Sequence, residues 1–102
     1  MIIKHYQLRG NEDSVGALRT ALDYLAQKIA AFDGVLGVEL FQDFANPACF
    51  ILVERWQSVE HYAQASQRID KTAFKAVFAQ LGAAPELLTL AAVSANGVDL
   101  TA

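Results

Sequence analysis

Glu54, Trp56 and Tyr62 are the residues of this sequence whose types and spacing point to chemistry. Glu54 and Trp56 stand two apart, so a strand puts both on one face, and Tyr62 follows six residues after Trp56, across a strand-to-helix corner. An acid, an indole and a phenol brought together make a pocket for a flat, mostly apolar ligand, held by aromatic faces and oriented by a few hydrogen bonds. Arg55, Ser58 and His61 lie in the same stretch. His5 is a further candidate, a general acid or base if its ring faces a cavity. Each residue also has an ordinary structural role open to it. Trp56 has the size and burial habit of a core residue, and Tyr62 can pack its ring with the hydroxyl in water. Glu54 can pair with Lys4 or Arg9 across a sheet, and His5 can be solvated or hydrogen-bonded within the core. His61, early in a helix, is expected at the surface.

Other chemistries find little footing. The chain has no glycine-rich phosphate loop and no cysteine pair, and His5 and His61 lack the spacing of a local metal pair. Cys49 sits in an apolar run with no base beside it, as a small core residue does. The net charge is −3, without a basic cluster, and the run from Cys49 to Trp56 lacks the glycine and positive charge of an RNA-binding strand. No nucleic-acid partner is expected. Charge interrupts the N-terminus too soon for a signal peptide, and no apolar run is long enough to span a bilayer, so the expectation is a cytoplasmic protein with no membrane partner.

These residues need elements to position them. Of 102 residues, 54% are hydrophobic and only 19% charged, against a usual quarter or so, which marks one folded domain with surplus apolar surface. The domain is expected over residues 1–95, with a tail over 96–102. Ile2 to Leu8 alternates as a strand. Val15, Leu18, Leu22, Leu25 and Ile29 follow at helical spacing, and Asp33-Gly34 supplies a left-handed stop. Val35 to Phe44 reads as a second strand, with Leu36, Val38, Leu40 and Phe44 on one face and Val35, Gly37, Glu39 and Phe41 on the other. After the turn Ala45 to Ala48, Cys49 to Trp56 gives a third strand, and the short connection predicts an antiparallel hairpin. Ser58 caps a short helix to about Ala65. Asp70 opens another, with Phe74, Val77, Phe78 and Leu81 as its apolar stripe. Leu87 to Val93 is the last strand, and residues from Ser94 on read as a tail, frayed unless it docks.

The order β-α-β-β-α-β is that of the α+β, ferredoxin-like split βαβ, with a four-stranded antiparallel sheet. Its helices cover one face only, yet the second and third strands carry large apolar residues on both. A symmetric partner whose sheet packs on the open face, or a bound apolar ligand, would cover the other. The expectation is a homodimer forming an α+β barrel.

The stretch Phe32-Asp-Gly-Val-Leu-Gly-Val-Glu-Leu-Phe-Gln-Asp43, followed by Phe50-Ile-Leu-Val-Glu-Arg-Trp-Gln-Ser-Val-Glu60, resembles the antibiotic biosynthesis monooxygenase family, as do element order and length. The resemblance implies a dimeric α+β barrel of ferredoxin-like protomers. It also implies an enzyme needing no cofactor or metal, in which the electron-rich anion of an aromatic, quinol or polyketide-like substrate reduces molecular oxygen. Trp56 and Tyr62 hold the places of a pocket-lining Trp and Tyr in the anthrone-type oxygenases, where a phenol or indole N–H can orient a carbonyl and stabilise an enolate. One departure is informative. Many members carry a His nine residues after that Trp, where this sequence has Ala65. A His-dependent proton transfer therefore does not carry over, nor does haem cleavage, whose Asn, Trp and His set is not found in this sequence, and His5, or a water held by Gln7 and Glu54, stands in as the base. The alternative is a non-catalytic dimeric barrel, a stress-related or accessory protein that binds a small apolar molecule.

Overall fold

A computed structural model describes residues 1–101. Alternation in Ile2–Arg9 gives β1, and after a one-turn 3-10 helix the stripe Leu18, Leu22, Leu25 and Ile29 is buried along α1, Val15–Ala30. The chain then reverses through Gly34, whose φ of 87° is left-handed; a Cβ there would fall inside the His61 side chain. β2, Val35–Gln42, and β3, Cys49–Trp56, form the expected antiparallel hairpin. Ser58 and Asp70 cap α2, Val59–Ser66, and α3, Lys71–Phe78, accepting from the backbone N–H of His61 at 3.1 Å and Thr72 at 2.9 Å. β4 is Glu86–Ala91.

The sheet order is β2-β3-β1-β4, antiparallel throughout, so each crossover skips the strand lying between its ends. This is the split βαβ arrangement, an α+β fold with its helices on one side. Leu8, Phe50, Leu52 and Trp56 point from the sheet into that side and meet the α1 stripe, Ala65, Ala73 and Val77 in one core. No helix is long and apolar enough to cross a membrane among the described residues.

Four local details depart from the periodicity. A bulge between Val35 and Gly37 inserts Leu36, so Val35 joins Val38 and Leu40 against the core while Leu36 is exposed. β2 stops at Gln42, and Phe44 stands fully in solvent in the turn. On α3, Ala73 and Val77 take the buried stripe and Phe78 is half exposed. The tail is also structured: β5, Ser94–Ala95, pairs with β6, Val98–Asp99, around Asn96-Gly97, both at positive φ as a primed hairpin turn demands. Ala102, the last residue of the expected tail, lies outside the described residues.

Candidate functional site

Register brings polar residues together in the middle of the helix-side face. Lys4 on β1 lies opposite Glu54 on β3 and Thr89 on β4, one row across three strands. The neighbouring rows are Trp56 with Ile2, and Leu52 with Tyr6 and Leu87. Tyr62 arrives from above. The backbone N–H of Gln57 donates to the Gly34 carbonyl at 2.7 Å, which fixes the corner, and the Ser58 cap starts α2 at once, so its first turns lie over the end of β3. The Ser58 hydroxyl also lies 2.6 Å from His61 Nδ1, which leaves His61 partly covered beside Gly34 rather than free at the surface.

The Glu54 side chain is almost completely buried. Trp56 Nε1 donates to its Oε1 at 2.9 Å, and the Trp56 and Tyr62 rings meet edge to face at 5.4 Å between centroids. Lys4 Nζ donates to Thr89 Oγ1 at 2.8 Å and sits 4.1 Å from the centre of the Tyr62 ring, a cation over an aromatic face. Loss of hydration raises the Glu54 carboxyl above the usual carboxylate range; the Trp56 hydrogen bond and the Lys4 charge oppose that rise without cancelling it. Burial, reinforced by Glu54 and Tyr62 beside it, pushes the Tyr6 phenol far up, so Tyr6 keeps its proton and acts as a donor.

These side chains wall a cavity of about 100 Å³, bounded by Tyr6, Glu54, Trp56 and Tyr62 on its polar side and by Ala65, Ser66, Ile69 and Phe74 on the other. Glu54, Trp56 and Tyr62 therefore converge as their spacing predicts. Trp56 is at once a wall and a core residue, with 1% of its surface exposed. Its indole N–H is already committed to Glu54, which leaves the phenols of Tyr6 and Tyr62 as the donors available to a bound oxygen. Ala65 lies on the cavity wall, so the position where the resembling family often has His is here a small apolar one.

His5 and Gln7 go elsewhere. Both alternate onto the uncovered face of β1, His5 between Val53 and Leu88 and Gln7 between Ile51 and Glu86. The thickness of the sheet separates Gln7 from Glu54, so the two cannot hold one water between them. Arg9 shares the open face too, which leaves Lys4 as the cation beside Glu54. Lys4, Tyr6, Thr89 and Phe74 went unmarked as site residues. The signal for the first two was the alternation that separates Lys4 and Tyr6 from His5; nothing local marks Thr89 or Phe74. Among the described residues no group of three His, Cys, Asp or Glu side chains is placed to hold a metal ion.

Comparison with known proteins agrees with this fold. The antibiotic biosynthesis monooxygenase family model matches residues 1–80. Among solved structures, SnoaB, a cofactor-independent oxygenase from Streptomyces nogalater, superposes with a TM-score of 0.83 at 10% identity, over 94% of this chain and 96% of its own. A candidate antibiotic biosynthesis monooxygenase from Nitrosomonas europaea gives 0.83 at 14% identity, over 92% and 100%, and one from Deinococcus radiodurans 0.78 at 22%, over 96% and 98%. At these identities the likeness establishes the fold alone. No curated protein matches the sequence.

Proposed function

The chain belongs to the antibiotic biosynthesis monooxygenase family, and on that premise we propose that it is a cofactor-independent monooxygenase acting on a small aromatic, quinol or polyketide-like substrate with molecular oxygen. The observation that carries the reading is Glu54: a buried carboxylate with a raised proton affinity, in the wall of a cavity whose other lining is aromatic and apolar apart from Ser66. A weakly hydrated carboxylate of that kind is matched to the acidic O–H or C–H of a phenol or an anthrone-like ketone.

Glu54 takes the proton, and the hydroxyls of Tyr6 and Tyr62 donate to the oxygen on which negative charge develops. Lys4, over the Tyr62 ring, holds a compensating positive charge close by, and the rings of Trp56 and Phe74 keep bulk water out. The resulting anion gives an electron to oxygen; the radical pair joins as a carbon-bound peroxide, which loses water. For a methylene substrate one oxygen atom ends as the new carbonyl and the other as water. The two hydrogens of the methylene leave in that water, so the oxidation of carbon and the reduction of oxygen balance with no external reductant.

The protein works as a homodimer in this reading. Ile3, Ile51, Val53, Leu88 and Leu90 form an apolar surface on the open face, with the Glu39–Arg55 ion pair at one side. A second sheet packed there closes the barrel. The single buried thiol, Cys49, suits a reducing compartment, the cytoplasm.

Oxygen uptake by the metal-free, cofactor-free protein against hydroquinones, anthrones and naphthols tests the proposal, with Glu54→Gln and Tyr62→Phe as controls. Uptake is expected in the wild type and a large loss in Glu54→Gln; uptake indifferent to Glu54 overturns it. Ala65 on the cavity wall favours the second reading, a binding barrel without turnover, which predicts ligand-dependent melting shifts and no product.

A further inference from the structure

A second cavity, about 210 Å³, adjoins the first and shares Tyr6 and Phe74 with it as common walls. Its remaining lining comes from β1, α1, β3, α3, Pro85 and β4, among them Leu22, Leu25, Leu52 and Leu87. Beyond the Tyr6 phenol, no side chain in it carries a polar atom. Phe78 and Leu87, both about half exposed, stand at its outer end, so this chamber leads from the buried acid toward solvent.

Two physical limits bear on what fills the pair. The chamber beside Glu54 is smaller than the cavity of about 150 Å³ that accommodates a benzene ring in an engineered protein, so three fused rings do not fit it, and a single ring fits only by extending past Tyr6 and Phe74 into the larger chamber. The larger chamber offers nothing to a hydroxyl or carbonyl, which would be stripped of water there without a partner, whereas hydrocarbon gains from entering it. Resting on the oxygenase reading of the Glu54 site, we infer that the substrate has two parts: a compact phenolic head against Glu54 and Tyr62, and a hydrocarbon tail that passes between Tyr6 and Phe74 into the leucine-lined chamber. The structure thus selects alkyl- or prenyl-substituted phenols and quinols over polyhydroxylated polycyclic compounds. Phe74, stacked with Phe78 at 6.2 Å, forms the step between the chambers and sets where head ends and tail begins.

Trp56 is the only tryptophan of the chain and lines the head chamber, so its fluorescence reports occupancy without turnover. Under anaerobic conditions the wild type is titrated with phenol carrying no chain, a butyl chain or a hexyl chain in the para position, and with a chain of hexyl length ending in a carboxylate. Affinity is expected to rise about threefold to fourfold with each methylene that enters the chamber. The carboxylate-ended probe is expected to lose most of that gain. Leu87→Gln and Leu87→Phe, which place a polar group in the chamber or narrow it, should bring the ratio of hexyl to unsubstituted affinity down toward one.

Affinity independent of chain length overturns the inference. So does a chain-length dependence that both Leu87 variants retain, which would be unspecific partitioning, and so does the absence of quenching by every probe in a folded dimer, which would mean that another segment fills the chamber. Chain-length-dependent binding without oxygen uptake supports the two-part ligand and overturns the oxygenase reading. Uptake of unsubstituted phenols with flat chain dependence does the reverse.

Discussion

The two faces of the one sheet use similar residues to opposite ends. On the helix side Lys4 and Glu54 face each other across β1 and β3, both buried, with Thr89, Trp56 and Tyr62 as their immediate partners. On the open side Arg55 and Glu39 make a direct ion pair across β3 and β2 whose side chains are roughly two-fifths exposed. The exposed pair is screened by water and contributes little beyond orienting its neighbours. The buried pair cannot be hydrated, so its charges must be shared with a phenol ring, a hydroxyl and an indole N–H, and an acid in that position responds to whatever enters the cavity beside it. Burial, more than residue type, separates the carboxylate proposed as the base from a solvated one here.

The sharpest way to break the contrast is through Glu54. Glu54→Gln keeps an acceptor for Trp56 and the side-chain volume while removing the base, so turnover should fall by about 10²- to 10⁴-fold. His5→Ala, one residue along β1 from Lys4 but on the other face, should leave turnover unchanged between pH 6 and 8. Steady-state oxygen uptake measures both. A loss in the His5 variant that matches the Glu54 one would move the chemistry to the open face.

Trp56→Ala comes next, with an expected loss of about 3 to 5 kcal/mol of stability by denaturant melting, because the indole is core as well as cavity wall. Phe41→Ala on the open face, where half the ring is already exposed, should cost under about 1 kcal/mol in the monomer. Because of that asymmetry Trp56→Ala cannot separate folding from activity. Tyr62→Phe keeps the ring that packs on Trp56 and Lys4 and removes only the hydroxyl, so it is the cleaner probe of donation into the cavity.

Leu88 and Leu90 sharpen the comparison from the other side. Both are exposed in the single chain, so Leu88→Glu with Leu90→Glu should change protomer stability little while placing four new carboxylates in the proposed sheet-to-sheet contact. A shift from dimer to monomer in light scattering at micromolar concentration is expected, a weakening of at least a hundredfold. An unchanged mass would mean that this face is not where copies meet.

What could be read from the chain beforehand divides along physical lines. Leu18 to Ile29 and the alternation of Ile2 to Leu8 lie within single elements, and periodicity there needs no knowledge of neighbours. Glu54, Trp56 and Tyr62 were legible for the same reason, since a strand and the helix after it are joined by one corner. Lys4 was legible only as one of two candidate partners of Glu54, Lys4 or Arg9, and Thr89 was not legible at all, because their places beside Glu54 depend on pairings across 50 and 35 residues of chain that alternation leaves open. The misassigned phase of Val35 and Leu36 has one cause, a bulge that adds a residue to one strand only. The hairpin after Val93 hides for want of length: Asn96-Gly97 is a strong turn signal, but two-residue strands show no period.

The smallest effect is thermodynamic and tests the cause assigned to the raised proton affinity of Glu54. Burial raises its proton affinity in the folded protein, so the folded state retains a proton that the unfolded chain releases in the ordinary carboxylate range. The contribution of Glu54 to stability is therefore fully present below that range and is lost as pH rises through its higher folded value. Glu54→Gln has no such dependence, and the other titrating groups are common to both proteins. The melting temperature of the variant minus that of the wild type should become more positive from pH 4 to pH 8, in step with loss of the proton. A difference that instead falls with pH would mean that Lys4 outweighs burial, holding Glu54 ionised as a structural counter-ion, and the site would lose its base while keeping its shape.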